Sequence, residues 1–158
     1  TDGPVYMRFG RLAVPVVNDP EGFEFQIGKG ILMREGADVT IVACGLMVQA
    51  ALEAAESLAA KGVSAEVIDM HTVKPLDEEL LVASAKKTGR VVTCEEHSVI
   101  GGLGSAVCDA LSEKCPVPVR KVGVNDVFGE SGPAVDLLAK YGLDAAGVER
   151  QVLDFLGK

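Results

Sequence analysis

The spacing of hydrophobic positions changes several times along the chain, and each change marks an element. Residues 5–8 (VYMR) predict a short strand. Two apolar runs follow at 30–33 and 39–44, the second β-branched (VTIVAC), with the turn residues Glu35, Gly36, Ala37 and Asp38 between them. This pair predicts a hairpin-like start with one antiparallel strand. The period then becomes helical. Val48, Ala51, Leu52, Ala55 and Leu58 share a face, Glu53, Glu56 and Lys61 lie opposite, and Gly62 is the stop.

Residues 65–70 (AEVIDM) return to a strand pattern. Asp77 is placed to cap a helix with Glu78 and Glu79 in its first turn, Lys86 and Lys87 in its last, and Gly89 beyond. That charge order complements the helix dipole. Residues 91–95 (VVTCE) predict a strand, Leu103, Val107, Ala110 and Leu111 a helix, and 118–122 (PVRKV) a shorter strand. Ser131 is expected to cap a helix through Leu137, Leu138 and Tyr141, and Asp144 a last one through Val148, Val152, Leu153 and Leu156. Strands alternating with helices argue βαβ units and a mainly parallel sheet covered on both faces, an α/β fold.

Composition agrees with a packed aliphatic core. The chain has 158 residues, 48% hydrophobic and only 4% aromatic, with no Trp. A chain of this length buries a core without disulfides or metals. The stretch 11–23, with Pro15, Asn18, Asp19, Pro20 and Gly22, reads as a linker with a domain boundary inside it. The sequence opens on Thr1 rather than Met, so a processed product or a piece of something longer is expected.

Charge and cysteine usage then exclude whole classes. The net charge is -8, and the densest basic cluster is only Lys86, Lys87 and Arg90. Nucleic acid and anionic membrane surfaces, which demand a basic face, are poor partners. Cys44, Cys94, Cys108 and Cys115 form no CxxC, and His71 and His97 do not stand at zinc-site spacing from them. Reduced, buried thiols in a cytoplasmic protein with no metal site are expected. No apolar run approaches the ~20 residues of a membrane span.

Ligands of open α/β sheets sit past the carboxyl ends of strands. Three segments lie there: 44–47, 71–77 and 95–105. In the third, Gly101, Gly102, Gly104 and Ser105 stand between a strand and a helix start, where backbone N–H groups cradle anions. GGLGS is neither a dinucleotide fingerprint nor a P-loop, and the alternative is that small residues let the helix approach the sheet. Glu95, Glu96 and His97 make a polar cluster at a strand end, suited either to proton exchange or to a subunit contact, and His71 beside Lys74 is treated alike. Two histidines and no nucleophile elbow support no catalytic triad, so no catalytic residue is assigned. Arg8 and Arg11, before the linker, offer bidentate donors to a phosphate or carboxylate.

At these residues the sequence resembles the C-terminal section of transketolase-like enzymes, which depend on thiamine diphosphate. GPVYMRFGR resembles the closing strand of their pyrimidine-binding domain. IDMHTVKPLD, VTCEEHSVIGGLGSAV and GVNDVFGESG resemble successive signatures of the C-terminal domain, in family order. The resemblance implies a three-layer α/β/α domain whose mainly parallel five-stranded sheet carries one antiparallel strand. It places residues 1–22 at the end of a preceding pyrimidine-binding domain plus linker, and 23–158 in the C-terminal domain.

The resemblance also implies roles. Arg11-Leu12-Ala13-Val14-Pro15 matches an RxxxP segment whose arginine grips the substrate phosphate, with Arg8 second by similarity to a synthase pattern carrying two arginines. Glu95, Glu96, His97 and His71 fall near the active-site entrance or an interface. The complete enzyme would move a two-carbon ketol unit between phosphosugars, using thiamine diphosphate and a divalent metal such as Mg held by other domains. The GDG…N metal motif and the activating glutamate of those domains are not in this sequence, so this chain alone is expected to bind no cofactor and to be inactive. Its partners would be the N-terminal transketolase section and a second copy through the C-terminal domain. HTVKPLD with EEHSVIGGLGS is most like bacterial and archaeal transketolases split into two polypeptides. Deoxyxylulose phosphate synthase and the beta chain of 2-oxo acid dehydrogenases stand as related alternatives. A non-catalytic module that binds a regulatory anion or nucleotide, or only dimerises, is the alternative of another class.

Overall fold

Val39–Ala43 forms the central strand β2, and all five of its residues are buried, as a β-branched run covered on both faces must be. In a computed structural model describing residues 1–11, 13–19, 21–22 and 24–158, four further strands flank it. They are β1 (Ile31–Arg34), β3 (Ala65–Asp69), β4 (Val91–Ser98) and β5 (Val119–Val124), in the order β1-β3-β2-β4-β5. The pairs β2–β3, β2–β4 and β4–β5 are parallel, and β1 lies antiparallel to β3.

Helices α1 (Met47–Ala60) and α5 (Ala145–Leu156) cover one face, where Ile41, Ala51, Leu58, Val67 and Val148 share a core. Helices α2 (Glu78–Thr88) and α3 (Leu103–Lys114) cover the other, around Val42, Ile68, Leu81, Val107 and Leu111. The three-layer α/β/α sheet with one antiparallel strand is therefore what the chain forms. A short helix α4 (Ala134–Lys140) precedes α5 and buries no residue.

Three expectations change. Residues 5–8 form no strand, and no described residue before Ile31 does; Tyr6, Met7 and Arg8 are exposed and pair with no strand of the sheet. The expected hairpin is not one, because β1 pairs with β3 rather than with β2. The turn straddles the start of β3: Ala37 and Asp38 donate N–H to the Ser64 carbonyl, and the Asp38 carboxylate accepts from Ser64 N–H at 2.7 Å. Gly36 is required there, since a Cβ would strike the Ala65–Glu66 backbone. Finally, α4 begins after Pro133, whose φ of -59° suits a helix start, so Ser131 is not its cap. The Leu12 of the RxxxP segment, Pro20 of the linker and Phe23 at the domain start lie outside the described residues.

Asp77 and Asp144 do cap α2 and α5, through Leu80 N–H at 3.2 Å and Gly147 N–H at 2.8 Å. Asp77 does more. Its second oxygen accepts from Gly30 N–H at 3.0 Å, tying the approach to β1 onto α2, and the residue is buried. Asp77→Ala leaves both donors unpaired and is expected to lower stability by about 2 kcal/mol, read as a shifted urea midpoint.

Candidate functional site

The site follows from the winding of the sheet. Strand β2 leads into α1 on one face, whereas its neighbour β4 leads into α3 on the other. Adjacent strands whose connections leave in opposite directions open a crevice at their carboxyl ends. Cys44 and Glu95 stand at its two lips, with Cys44 N–H donating to the Cys94 carbonyl at 3.3 Å. The end of β3, with Asp69 and His71, lies on the other side of β2.

Arg8 reaches this edge. Its guanidinium donates to the Glu96 carbonyl at 2.9 Å across 88 residues of sequence, so the segment before the linker lies against the end of β4. Arg11 is exposed. The two arginines are thus treated differently, one fastened by a donor to the sheet and the other open to solvent.

The polar cluster at the end of β4 divides. Glu95 is 3% exposed and turns inward. Its two carboxylate oxygens accept from Leu103 N–H and Gly104 N–H, both at 2.8 Å. The first turn of α3 does receive an anion, as glycine-rich helix starts do, but the anion is the chain's own Glu95. That corrects the reading of the loop as a cradle open to an external anion at these amides. Gly102 leaves room for this carboxylate, and a Cβ on Gly104 would come within 2.8 Å of Thr93 Oγ1 and 2.9 Å of Lys121 Cδ. Small residues here serve close helix–sheet approach. Ser105 accepts from Gly101 N–H at 2.9 Å and from Lys121 Nζ at 3.2 Å, which closes the loop on itself.

Glu96 is half-buried and His97 exposed, with His97 Nδ1 3.3 Å from the Ser98 carbonyl. Neither turns inward as Glu95 does. His71 is half-buried, paired with Thr72 Oγ1 at 2.8 Å through Nδ1, and packed under the Phe25 ring with centroids 4.7 Å apart. Sequence reasoning missed Asp69. It is 7% exposed, and burial pushes its carboxyl pKa up, opposed by the charge of His71 and the side chain of Asn18. An aspartate ending an otherwise apolar strand run was the available signal.

Burial also governs the thiols. It pushes Cys44 up to about 11, helped by the charges of Glu95 and Asp69 and opposed by Arg8. Cys94, fully buried, is pushed up as well, again chiefly by burial. Neither is a nucleophile at neutral pH. With a thiol reagent at pH 8, Cys108 and Cys115 are expected to react first, Cys44, equally half-buried but with its pKa raised, more slowly, and the buried Cys94 only on unfolding; mass mapping of the labelled peptides checks this.

Among the described residues no group of three or more His, Cys, Asp or Glu side chains is arranged to hold a metal ion. The amides at the start of α3 are taken by Glu95. These residues do not make a metal–diphosphate cradle. An open cleft of about 700 Å³ runs between Lys29, α2 and Lys114. Its Lys29 and Lys114 are already paired with Glu79 and Glu78.

Fold and crevice together define the class: a doubly covered α/β domain whose working edge is the carboxyl end of its sheet, met there by a segment from outside the sheet. Residues 28–148 match the family model for the transketolase C-terminal domain, and the chain belongs to that family. It is 57% identical over 150 residues to a 6-deoxy-6-sulfo-D-fructose transketolase subunit of a Clostridium strain, covering 94% of this chain and 46% of that protein. It is 44% identical to an apulose-4-phosphate transketolase subunit of Phocaeicola vulgatus, covering 98% of this chain and 49% of the relative. The solved structure of a split-gene transketolase in an inactive beta4 tetramer superposes with a TM-score of 0.93 at 58% identity, over 98% of this chain and 50% of that one. The chain spans about half the length of these three relatives.

Proposed function

We propose that this chain is the C-terminal part of a transketolase and contributes an anion anchor and a dimer surface to two-carbon ketol transfer between phosphosugars. One observation carries the reading. Arg8 fastens the segment bearing both arginines to the end of β4, so an anionic tail held by Arg11 would lie at the mouth of the crevice. A guanidinium recognises phosphate by paired hydrogen bonds. Residues 1–22 then belong with the pyrimidine-binding domain, and 23–158 form the C-terminal domain.

In this reading thiamine diphosphate and its Mg ion are held by the N-terminal section, the partner of this chain, and supply the carbanion chemistry. Ile100, Val127 and Phe128 expose apolar side chains after the ends of β4 and β5, which supports a contact with a second copy beside Glu96 and His97. Four free thiols support a reducing, cytoplasmic location. No helix among the described residues is long and apolar enough to cross a membrane.

In the complete enzyme, Arg11→Ala is expected to raise KM for phosphosugars about 30-fold, the loss of roughly 2 kcal/mol of charged hydrogen bonding, with Arg8→Ala smaller. An unchanged KM in Arg11→Ala removes the anchor role. Calorimetry on this chain alone is expected to show no heat with thiamine diphosphate and Mg, and the complete enzyme, with its N-terminal section and pyrimidine-binding domain, saturable heat. The 57% identity to a transketolase whose name specifies a sulfonated fructose favours a second reading, a sulfonate in place of the phosphate. Comparing kcat/KM for the two sugars decides between them. Pyruvate consumption in the same assay would instead indicate the deoxyxylulose phosphate synthase reaction.

A further inference from the structure

The carboxyl end of β3 carries a second polar cluster that the anchor does not use. Asp69 is buried, with 7% of its surface exposed, and His71 lies two residues on. Both lie beside the segment that leads from the linker into the domain. Asn18 opposes the upward push of burial on the Asp69 carboxyl pKa, and the Phe25 ring packs on the His71 imidazole at 4.7 Å and a tilt of 36°. Asp69 Oδ1 and His71 Nε2 are shielded from solvent, and neither has a hydrogen-bond partner among the described residues. Native proteins rarely leave such atoms unpaired. The covered space therefore retains hydrogen-bonding capacity suited to a bridging water.

A carboxylate and an imidazole under a turn-rich segment are poor choices for a purely apolar seal. Leu or Val at 69 and 71 would extend the strand pattern and bury at no polar cost. The polar pair instead gives the segment a directional attachment, with one contact to an amide and one to an aromatic face. The segment between these contacts and Arg8 carries Arg11, whose guanidinium is open to solvent.

We propose that Asp69 and His71 are positioning residues that clasp the segment running from the linker into the domain, at Asn18 and Phe25, and thereby set Arg11 at the crevice. The proposal rests on the anchor reading above and deepens it. Arg8 holds one end of the segment to β4, and the Asp69–His71 clasp holds the other to β3, so Arg11 is spanned between two fixed points. Small displacements of an anchoring group from its productive position weaken substrate binding steeply.

The test uses the complete enzyme, in which this chain is joined to its pyrimidine-binding domain and paired with the N-terminal section, and two readouts. The first is cleavage by a glutamyl endopeptidase at Glu21 and Glu24, both exposed, which speeds up on release of the segment because a protease must extend several residues on each side of the scissile bond. His71→Ala and Asp69→Ala are expected to speed cleavage about 10-fold, whereas His71→Asn and Asp69→Asn, which keep polar partners, stay within about threefold of wild type. A cleavage rate unchanged in both alanine variants overturns the clasp, whatever the kinetics show. The second readout is KM against kcat for the phosphosugar. His71→Ala is expected to raise KM about 10-fold with kcat nearly constant, and to add less than about twofold in an Arg11→Ala background. Faster cleavage with an unchanged KM, where Arg11→Ala does raise KM, overturns the positioning role. If Arg11→Ala itself leaves KM unchanged, the anchor reading fails while the cleavage result still decides the clasp.

Discussion

Replacing Glu95 with alanine is expected to cost the 158-residue chain about 3 kcal/mol of stability, a fall of roughly 9 °C in Tm. The carboxylate is buried and accepts two N–H bonds from the first turn of α3, so its loss leaves the Leu103 and Gly104 amides without their acceptor. Charge-assisted bonds at a helix start are also strengthened by the helix dipole. Glu95→Gln keeps one oxygen acceptor and is expected to lose about half as much. Gly102→Ala tests the same contact from the other side, since its Cβ would meet the Glu95 carboxylate and push it off the amides. Thermal unfolding adds a sharper check. In Glu95→Ala the vacated amides form an anion cradle, so acetate is expected to restore part of the lost Tm against chloride at matched ionic strength. Wild type should show no such gain. An acetate effect equal in both proteins would mean that the loop amides were never held by Glu95.

This cluster also shows how far the sequence was legible. The helical and strand periods located every element of the sheet and its helices, because apolar faces at fixed spacing leave little freedom. Asp77 and Asp144 were readable as caps from their position alone. The partner of β1 was not readable. A turn such as Glu35–Asp38 predicts a hairpin locally, and only the fully buried β2, claimed on both sides by parallel neighbours, displaces β1 to the far edge of β3. Residues 5–8 carry a strand pattern without a strand partner, since periodicity records a side-chain preference and pairing depends on another segment. At the site, Glu95 and the glycines were recognised as chemistry-bearing, yet which anion the loop holds depends on a rotamer, and no pattern encodes that. Asp69 and Glu66 escaped notice because single charges inside apolar runs read as noise until the neighbours are known. Arg8 and Arg11 were legible as anion donors from residue type and place, and only the resemblance put Arg11 first.

Glu66 supports the second large effect, at the opposite end of the sheet. Its side chain is fully buried beneath α2, pairs with Lys87 Nζ, and accepts from Thr40 Oγ1 at 3.3 Å. Thr40 in turn meets Thr88 Oγ1 at 2.8 Å. Lys87 also pairs with Glu35 at 2.7 Å in the β1–β2 connection, so one ammonium joins α2, β3 and that turn. Lys87→Met leaves the Glu66 carboxylate buried without a counter-charge, and an expected loss of about 3 kcal/mol follows from breaking such a pair on one side. Removing the charge from both sides is different. Glu66→Gln with Lys87→Met keeps an acceptor for Thr40 and strands no ion, so the double variant is expected to recover more than half of the single variant's loss in a urea titration. Equal losses in single and double variants would show that packing, and not the buried charge, dominates. The pH dependence has a definite sign. Glu35 first and Glu66 second raise the Lys87 pKa above its usual 10.5. A lysine whose folded pKa is raised contributes fully below the unfolded value and loses its contribution as pH climbs through the folded one. The stability gap between wild type and the double variant is therefore expected to hold constant through neutral pH and to narrow above about 10.5. A gap that narrows already between pH 7 and 9 would assign the coupling to some other group.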